Sequence, residues 1–383
     1  MNAIPFARLS IFYCCYFGAL GALVPYWGLY LDRLGFTAKD IGLLMACMMV
    51  TRIISPNLWG WLADRSGQRM RIIRFGTFFA AVGYAGALFG NSFWWLAGVM
   101  MSFSFFWHAV LPQFEAVTLN HLGLQIARYS HVRMWGSVGF ILSAVGLGAV
   151  LDHFGLALLP YVIVMLMVGI WLSTLFVNDT VKIADVVEPI PLRRILARSD
   201  VRALLVVCVL MQASHGPYYT FYSLYLEQVG YSRTAIGQLW ALGVVAEIVI
   251  FLYLHKLSRR FALQHLLGLS LALTTVRWLL IGLFPESLLL LLFAQCLHAA
   301  SFGIYHAVAI QMVHGYFAGK HQGRGQALYS SLGFGAGGAI GSLFSGYLWA
   351  SAGSTATFLV AAALSFGAWC VAWRYLKPTA MAI

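Results

Sequence analysis

Four ionisable side chains stand inside long apolar stretches of the sequence: Arg52, Glu115, Glu247 and Arg277. A charge at the centre of a bilayer costs from about 2.5 to more than 10 kcal/mol, so residues of this type in such stretches usually serve a function. A carboxylate whose surroundings change can switch between its protonated and its ionised form. We therefore predict that Glu115 and Glu247 couple the protein's activity to protons.

An arginine in the same surroundings can bind a carboxylate through two parallel hydrogen bonds. We predict that Arg52 binds the carboxylate of a substrate. The sequence also allows two purely structural ion pairs, one between Arg52 and Glu115 and one between Arg277 and Glu247. Arg277 is the residue that we assign to such a structural pair.

Aromatic and polar side chains accompany these charges. An aromatic acid needs apolar burial for its ring and polar groups for its carboxylate. Aromatic residues near the end of an apolar stretch are also typical of membrane-interface anchors, and that interpretation stays open. Besides Arg52, the residues predicted to bind substrate are Tyr26, Trp27, Tyr30, Trp135 and Tyr219, with Gln212 and His215 just before a helix break at Gly216 and Pro217.

The elements that position these residues are predicted to cross a membrane. Hydrophobic residues make up 61% of the chain and charged residues only 9%, whereas a soluble domain has about 25% charged residues. A spanning helix needs roughly 20 apolar residues, and we read the first apolar stretch as a retained span rather than a signal peptide. The sequence predicts an all-α protein with twelve spans, near 8–32, 40–63, 71–90, 92–121, 131–152, 156–177, 203–227, 234–257, 263–284, 287–316, 324–350 and 354–375.

The basic residues predict the orientation of these spans. Most of the 24 Lys and Arg residues fall in loops on one side, and only Arg33, Lys39 and Arg233 lie in loops on the other. Short loops rich in Lys and Arg stay in the cytoplasm, so both termini are predicted to be cytoplasmic. The net charge of +12 is then a topology signal, and no nucleic-acid partner is predicted.

The chain contains two copies of one module. The segment Tyr26–Ala46 reappears as Phe221–Ala241, and the same offset aligns Arg52 with Glu247. A duplicated helical membrane module is the usual construction of a secondary transporter. We predict six-helix bundles at 1–178 and 201–383, joined by a polar cytoplasmic linker at 179–200.

The loop GWLADRSGQRMR, from Gly60 to Arg71, resembles the loop between helices two and three of the major facilitator superfamily. The blocks PYWGLYLDRLGFTAKDIG, HVRMWGSVGF and QASHGPYYTFYSLY resemble the phenylpropionate permease group of that superfamily. This resemblance implies proton-coupled uptake across the bacterial inner membrane by a monomer. By the same resemblance we assign gating roles to Gly60, Asp64, Arg65, Gly67, Arg69 and Arg133.

Together these features predict a secondary transporter that imports a small aromatic carboxylate, such as 3-phenylpropionate, with protons. Membrane lipid is the other expected partner, and no cofactor or metal is predicted, because no ATP-binding loop or metal-ligand spacing occurs. A proton symporter for a nucleoside or a sugar is the alternative. A polytopic membrane enzyme is a remote one, since no compact nucleophile or metal motif is present.

Overall fold

The computed structural model describes residues 5–179, 192–317 and 322–376, and these residues form helices and connecting turns with no strand. They divide into two compact units. The first unit comprises the described residues of Met1–Asp185 together with Tyr231–Ala241, and the second comprises those of Val186–Gly230 and Leu242–Ile383. The domain boundaries predicted from the sequence stay a prediction.

The first unit is built from six long helices. Helix α2 starts at a capping box in which Thr37 and Asp40 bond each other's backbone, and it ends at Gly67, whose φ of +67° places it in the left-handed region. The helices are α1 (Phe6–Arg33), α2 (Ala38–Ser66), α3 (Arg69–Ala85), α4 (Phe93–Leu122), α5 (Tyr129–Phe154) and α6 (Leu159–Leu175). Short 3₁₀ turns lie at Gly86–Leu88, Gly123–Arg128 and Leu156–Leu158.

Helices α1 and α5 pack with almost no space between their backbones. A Cβ atom on Gly21 would lie 3.0 Å from the Cα of Phe140, and one on Gly139 would lie 2.9 Å from the Cα of Cys14. Small residues are what allow helices to approach this closely in a membrane protein. The glycines of α5 therefore determine where α1 can lie.

The second unit has shorter and more irregular helices. They are α7 (Leu192–Ala197), α8 (Ser199–Ser214), α9 (Gly216–Val229), α10 (Arg233–Arg260), α11 (Leu263–Leu283), α12 (Leu288–Cys296), α13 (Tyr305–Tyr316), α14 (Gln322–Leu328) and α15 (Gly338–Tyr375), with π-helical segments at Ala299–Ile304 and Tyr329–Gly337. Helix α10 belongs to the first unit up to Ala241 and to the second unit from Leu242. Short π-helical segments inside α-helices frequently occur at functional sites.

Two interruptions in this unit agree with the sequence. The predicted span at 203–227 is interrupted at His215, where α8 ends and α9 begins, so the predicted helix break is confirmed. The non-helical Gly353, with φ +83°, lies inside α15 between the spans predicted at 324–350 and 354–375. The predicted linker 179–200 contains α7 and the start of α8, and its residues 180–191 lie outside the described residues.

Nine helices in the described part of the chain are long and apolar enough to cross a membrane. The three further predicted spans differ from a single long helix for local reasons. Helix α3 has 17 residues before its 3₁₀ turn, the span at 203–227 is split at His215, and the last two predicted spans run together through Gly353. The count of twelve and the cytoplasmic termini stay predictions.

Candidate functional site

Glu115 lies on α4 in a polar cluster of the first unit. The hydroxyl of Tyr129 donates a hydrogen bond of 3.3 Å to its Oε1 atom. The Nε atom of Arg133 lies 4.0 Å from the same oxygen, and the Arg133 guanidinium stacks 3.8 Å from the centre of the Phe17 ring. The carboxylate therefore has one long hydrogen bond and one long ion pair, neither of them a tight contact.

Arg52 is half-buried on α2 and lies within electrostatic reach of Glu115 and Tyr16. Its helix is fastened to α4 on either side of it, since the hydroxyls of Thr51 and Ser104 are 2.9 Å apart. The structure thus brings the predicted substrate arginine and the predicted proton carrier into one region of the first unit. Arg133, to which the sequence assigned gating, belongs to the same region.

A second polar cluster surrounds Arg277, which is fully buried on α11. Its Nη1 atom donates hydrogen bonds to Ser301 Oγ at 2.8 Å and to His298 Nδ1 at 3.0 Å, and Nη2 donates to Gln295 Oε1 at 3.2 Å. The guanidinium also lies 4.2 Å from the centre of the Tyr218 ring. Each of these groups is neutral or aromatic, so the cluster solvates the charge without a contacting carboxylate.

Glu247 reaches this cluster through His298. Since Arg277 donates to His298 Nδ1, the neutral imidazole must carry its proton on Nε2. That nitrogen lies 3.7 Å from Glu247 Oε2, which is longer than a hydrogen bond. The direct Glu247–Arg277 pair that the sequence suggested is thus replaced by an arrangement with the imidazole in between.

Gln212, His215 and Tyr219 lie at the junction of α8 and α9. His215 is fully buried, its Nδ1 donates to the backbone oxygen of Met211 at 2.8 Å, and its ring is 4.9 Å from the ring of Trp278. Its Nε2 atom has no hydrogen-bond partner among the described residues. The junction therefore adds an unused acceptor beside the aromatic rings of the second cluster.

The predicted aromatic residues of α1 lie inside helix packing. Tyr26 and Trp27 are fully buried, the Tyr26 hydroxyl donates to the backbone oxygen of Ala144, and the Trp27 and Tyr30 rings stack at 5.1 Å. Such burial argues against the alternative of exposed interface anchors. Trp135 on α5 is 43% exposed. Their contact with substrate stays a prediction.

The residues assigned to gating lie around the turn from α2 to α3. Arg69 Nη2 and Asp64 Oδ1 form an ion pair at 2.6 Å, the Arg65 guanidinium is 5.4 Å from the Trp61 ring, and Gly67 ends α2. A Cβ atom on Gly60 would lie 3.4 Å from Gln113 Nε2, so the glycine permits close packing of α2 on α4. The gating roles themselves stay predictions.

Sequence reasoning missed several members of these sites. His298 was expected only to bond a neighbouring helix, whereas it links Arg277 and Glu247, and neither Gln295 nor Tyr129 was singled out. Asp152, at the end of α5, accepts hydrogen bonds from the backbone nitrogens of Arg233 and Thr234 at 3.0 and 2.9 Å. Its only sequence signal is an acid at a helix end, opposite a loop that opens a helix.

Apolar helices long enough to span a bilayer, with ionisable clusters buried among them, define a multi-pass membrane transporter. The chain belongs to the MFS_1-like family, whose model matches residues 6–360. The family and the relatives below are transporters rather than enzymes, and the predicted superfamily is confirmed.

The chain is 30% identical over 358 residues to the "Probable 3-phenylpropionic acid transporter" of Escherichia coli (strain K12), covering 89% of this chain and 90% of that one. It is 26% identical to the maltose permease of Geobacillus stearothermophilus, covering 88% and 86%. The crystal structure of the nucleoside transporter NupG superposes with a TM-score of 0.83 at 14% identity, covering 98% and 99%. At that identity the likeness shows the fold alone.

Proposed function

We propose that this protein imports a small aromatic carboxylate, such as 3-phenylpropionate, together with protons across the bacterial inner membrane. The proposal includes twelve spans, cytoplasmic termini and alternating access. It is supported by the E. coli relative, whose name gives that substrate, and by the distribution of Lys and Arg between loops. A reporter fused after Ile383 that is active only outside the cytoplasm would contradict the orientation.

The loosely held carboxylate of Glu115 is the observation that carries the proposal. An apolar helix makes a carboxylate harder to ionise, whereas a nearby guanidinium makes ionisation easier. With Arg133 at 4.0 Å and Tyr129 at 3.3 Å, a small change in either distance alters this balance. Glu115 can then take up a proton without the rupture of a close ion pair.

Arg52 supplies the positive charge that a substrate carboxylate requires in this region. Its planar guanidinium can bind both oxygens of a carboxylate at once. A substrate anion bound there would add a negative charge near Glu115, and like charges favour protonation of the carboxyl group. Binding of the anion and uptake of the proton would therefore favour each other, which is the minimum that symport requires.

The second unit offers another acid for coupling. The Nε2–H of His298 points to Glu247 across a gap of 3.7 Å, and Arg277 fixes that tautomer from the other side. Protonation of His298 would place a second positive charge beside a buried guanidinium, which the low dielectric opposes. We propose that Glu247 itself carries the proton here, while His298 orients it.

The test is uptake of radiolabelled 3-phenylpropionate into proteoliposomes under an imposed inward proton gradient, with and without an uncoupler. We expect accumulation that the uncoupler abolishes. Glu115→Gln, which imitates the protonated acid, should lose gradient-driven accumulation and keep exchange of labelled for unlabelled substrate. Glu286→Gln, at an exposed position, is the matched control and should behave as the wild type.

Undiminished accumulation by Glu115→Gln would remove Glu115 from the mechanism. Failure of the folded wild type to accumulate the acid would refute the substrate. A nucleoside or sugar symporter is then the second candidate, favoured by the maltose permease relative and by Gln295, whose buried Nε2 has no hydrogen-bond partner among the described residues. Competition by uncharged nucleosides or sugars, with no effect of aromatic acids, would support it.

A further inference from the structure

A groove of about 330 Å³ lies on the second unit between the first turns of α11 and the last turns of α15. His265, Gly268 and Leu269 line it on one side, and Trp369 and Trp373 line it on the other. A cavity of this size accommodates a ligand as large as a typical small molecule. The groove is separate from both clusters of ionisable residues described above.

The wall formed by α15 is aromatic and outward-facing. The rings of Trp369 and Trp373 stack at 5.7 Å, and Phe366 stacks on Trp369 at the same distance. Trp373 is 76% exposed, and Leu269, on the opposite wall, is 50% exposed. In a spanning protein, exposed apolar side chains at this density face acyl chains, and tryptophan is enriched where acyl chains meet headgroups.

The rim of the groove is basic. Arg374 directly follows Trp373, and α10 ends with Arg259 and Arg260 just before α11 begins. His265 adds a further group that can become positive. Neither α11 nor α15 contains an aspartate or a glutamate, and the sequence has no acid between Glu247 and Glu286. The side chains around the groove therefore combine an apolar wall with an uncompensated positive edge.

We propose that this groove binds one anionic phospholipid, with the phosphate at the basic rim and an acyl chain along Leu269 and the two tryptophans. A phospholipid has both parts that the groove matches, an anion and a hydrocarbon chain, and it surrounds the protein at high local concentration. Basic pockets between helices of membrane proteins bind anionic headgroups in this way. The site is a lipid site in addition to the transport site.

The experiment is native mass spectrometry of the full chain in detergent, titrated with an equimolar mixture of phosphatidylglycerol and phosphatidylcholine. We expect the adduct with one phosphatidylglycerol to dominate. A basic side chain at an anionic surface contributes about 1 kcal/mol, so Arg374→Gln should reduce the preference for phosphatidylglycerol about fivefold. Arg71→Gln, an exposed arginine of the first unit, should leave it unchanged.

A second variant tests the groove itself. A Cβ atom on Gly268 would lie 3.8 Å from Trp369 Nε1, which is ordinary contact, so Gly268→Leu can fold while its side chain fills the groove. We expect the specific adduct to disappear, whereas Gly367→Leu, where nothing lies within 4 Å of the added Cβ, should keep it. Equal binding of the two lipids, or an unchanged adduct in Gly268→Leu, would reduce the groove to ordinary contact with bulk lipid and overturn the proposal.

Fluorescence gives an independent readout that does not depend on Gly268. Brominated phosphatidylglycerol should quench the protein more than brominated phosphatidylcholine, and Trp373→Phe should remove that difference. If the difference persists in Trp373→Phe, the bound lipid lies elsewhere.

Discussion

The close approach of α1 to α5 makes Gly139→Ala a sharp test of the packing in the first unit. The added methyl group would overlap the carbonyl oxygen of Cys14 and lie 2.9 Å from its Cα. Carbon atoms pack best at about 3.5–4.0 Å, so the two backbones must separate by roughly 0.6–1.1 Å. A gap of about 0.5–1 Å forfeits a quarter to a half of each dispersion contact, and overpacking of this kind costs about 1–3 kcal/mol.

The assay is thermal unfolding of the detergent-purified protein, followed by its elution from a size-exclusion column. One kcal/mol corresponds to about 2–4 °C in a domain of this size, so we expect Gly139→Ala to unfold several degrees below the wild type. Gly146→Ala is the matched control on the same helix, since nothing lies within 4 Å of its added Cβ. Alanine favours a helix over glycine by about 1 kcal/mol, so this control should be unchanged or slightly stabilised.

Equal unfolding temperatures for the two variants would refute the reasoning, because they share the same gain in helix propensity and differ only in the contact. The seam also carries Arg133, which stacks on Phe17 of α1 and faces Glu115. A separation of the helices should therefore lower proton-driven uptake in Gly139→Ala as well. Wild-type uptake with reduced stability would show that the position of α1 does not affect Glu115.

Three further predictions follow from single contacts. Asp152→Ala removes the acceptor that caps the first turn of α10 at Thr234, so we expect a loss of about 0.5–2 kcal/mol, measured as a lower unfolding temperature; no change would show that water replaces the cap. Arg277→Lys keeps the charge but cannot donate to three groups at once, so it should lower uptake and stability together, and full activity would contradict the need for the fork-shaped guanidinium. The hydrogen bond from Arg198 holds the pKa of Asp200 below its usual value, so Asp200 stabilises the protein above its unfolded pKa of about 3.9 and loses this effect as the pH falls through the lower folded pKa; the stability difference between wild type and Asp200→Asn should shrink below about pH 4, and a constant difference would refute the linkage.

Helix positions could be predicted well because a spanning helix has a required length and composition. The spans predicted at 8–32 and 263–284 correspond to Phe6–Arg33 and Leu263–Leu283. The break before Gly216 and Pro217 was predictable because proline removes a backbone donor. The π-helical segment Ala299–Ile304 has no comparable signal, since no glycine–proline pair or polar cluster marks it.

The partners of the buried charges could not be predicted for a different reason. They depend on how each helix is rotated about its own axis. In a soluble protein the alternation of polar and apolar faces reveals that rotation, but a helix surrounded by lipid is apolar on nearly every side. The sequence therefore placed Glu247 and Arg277 on adjacent helices correctly and could not show that His298 lies between them.

The duplicated module carries two unlike polar clusters, and this difference bears on how the halves divide their work. The offset that aligns Arg52 with Glu247 places Ile310 at the position of Glu115 and Val82 at that of Arg277. The fold was therefore repeated while its ionisable groups were not. Glu115 faces an arginine and a phenol directly, whereas Glu247 faces an imidazole held by an arginine. Because their surroundings differ, the two acids respond to different changes, and the loss of one cannot be made good by the other.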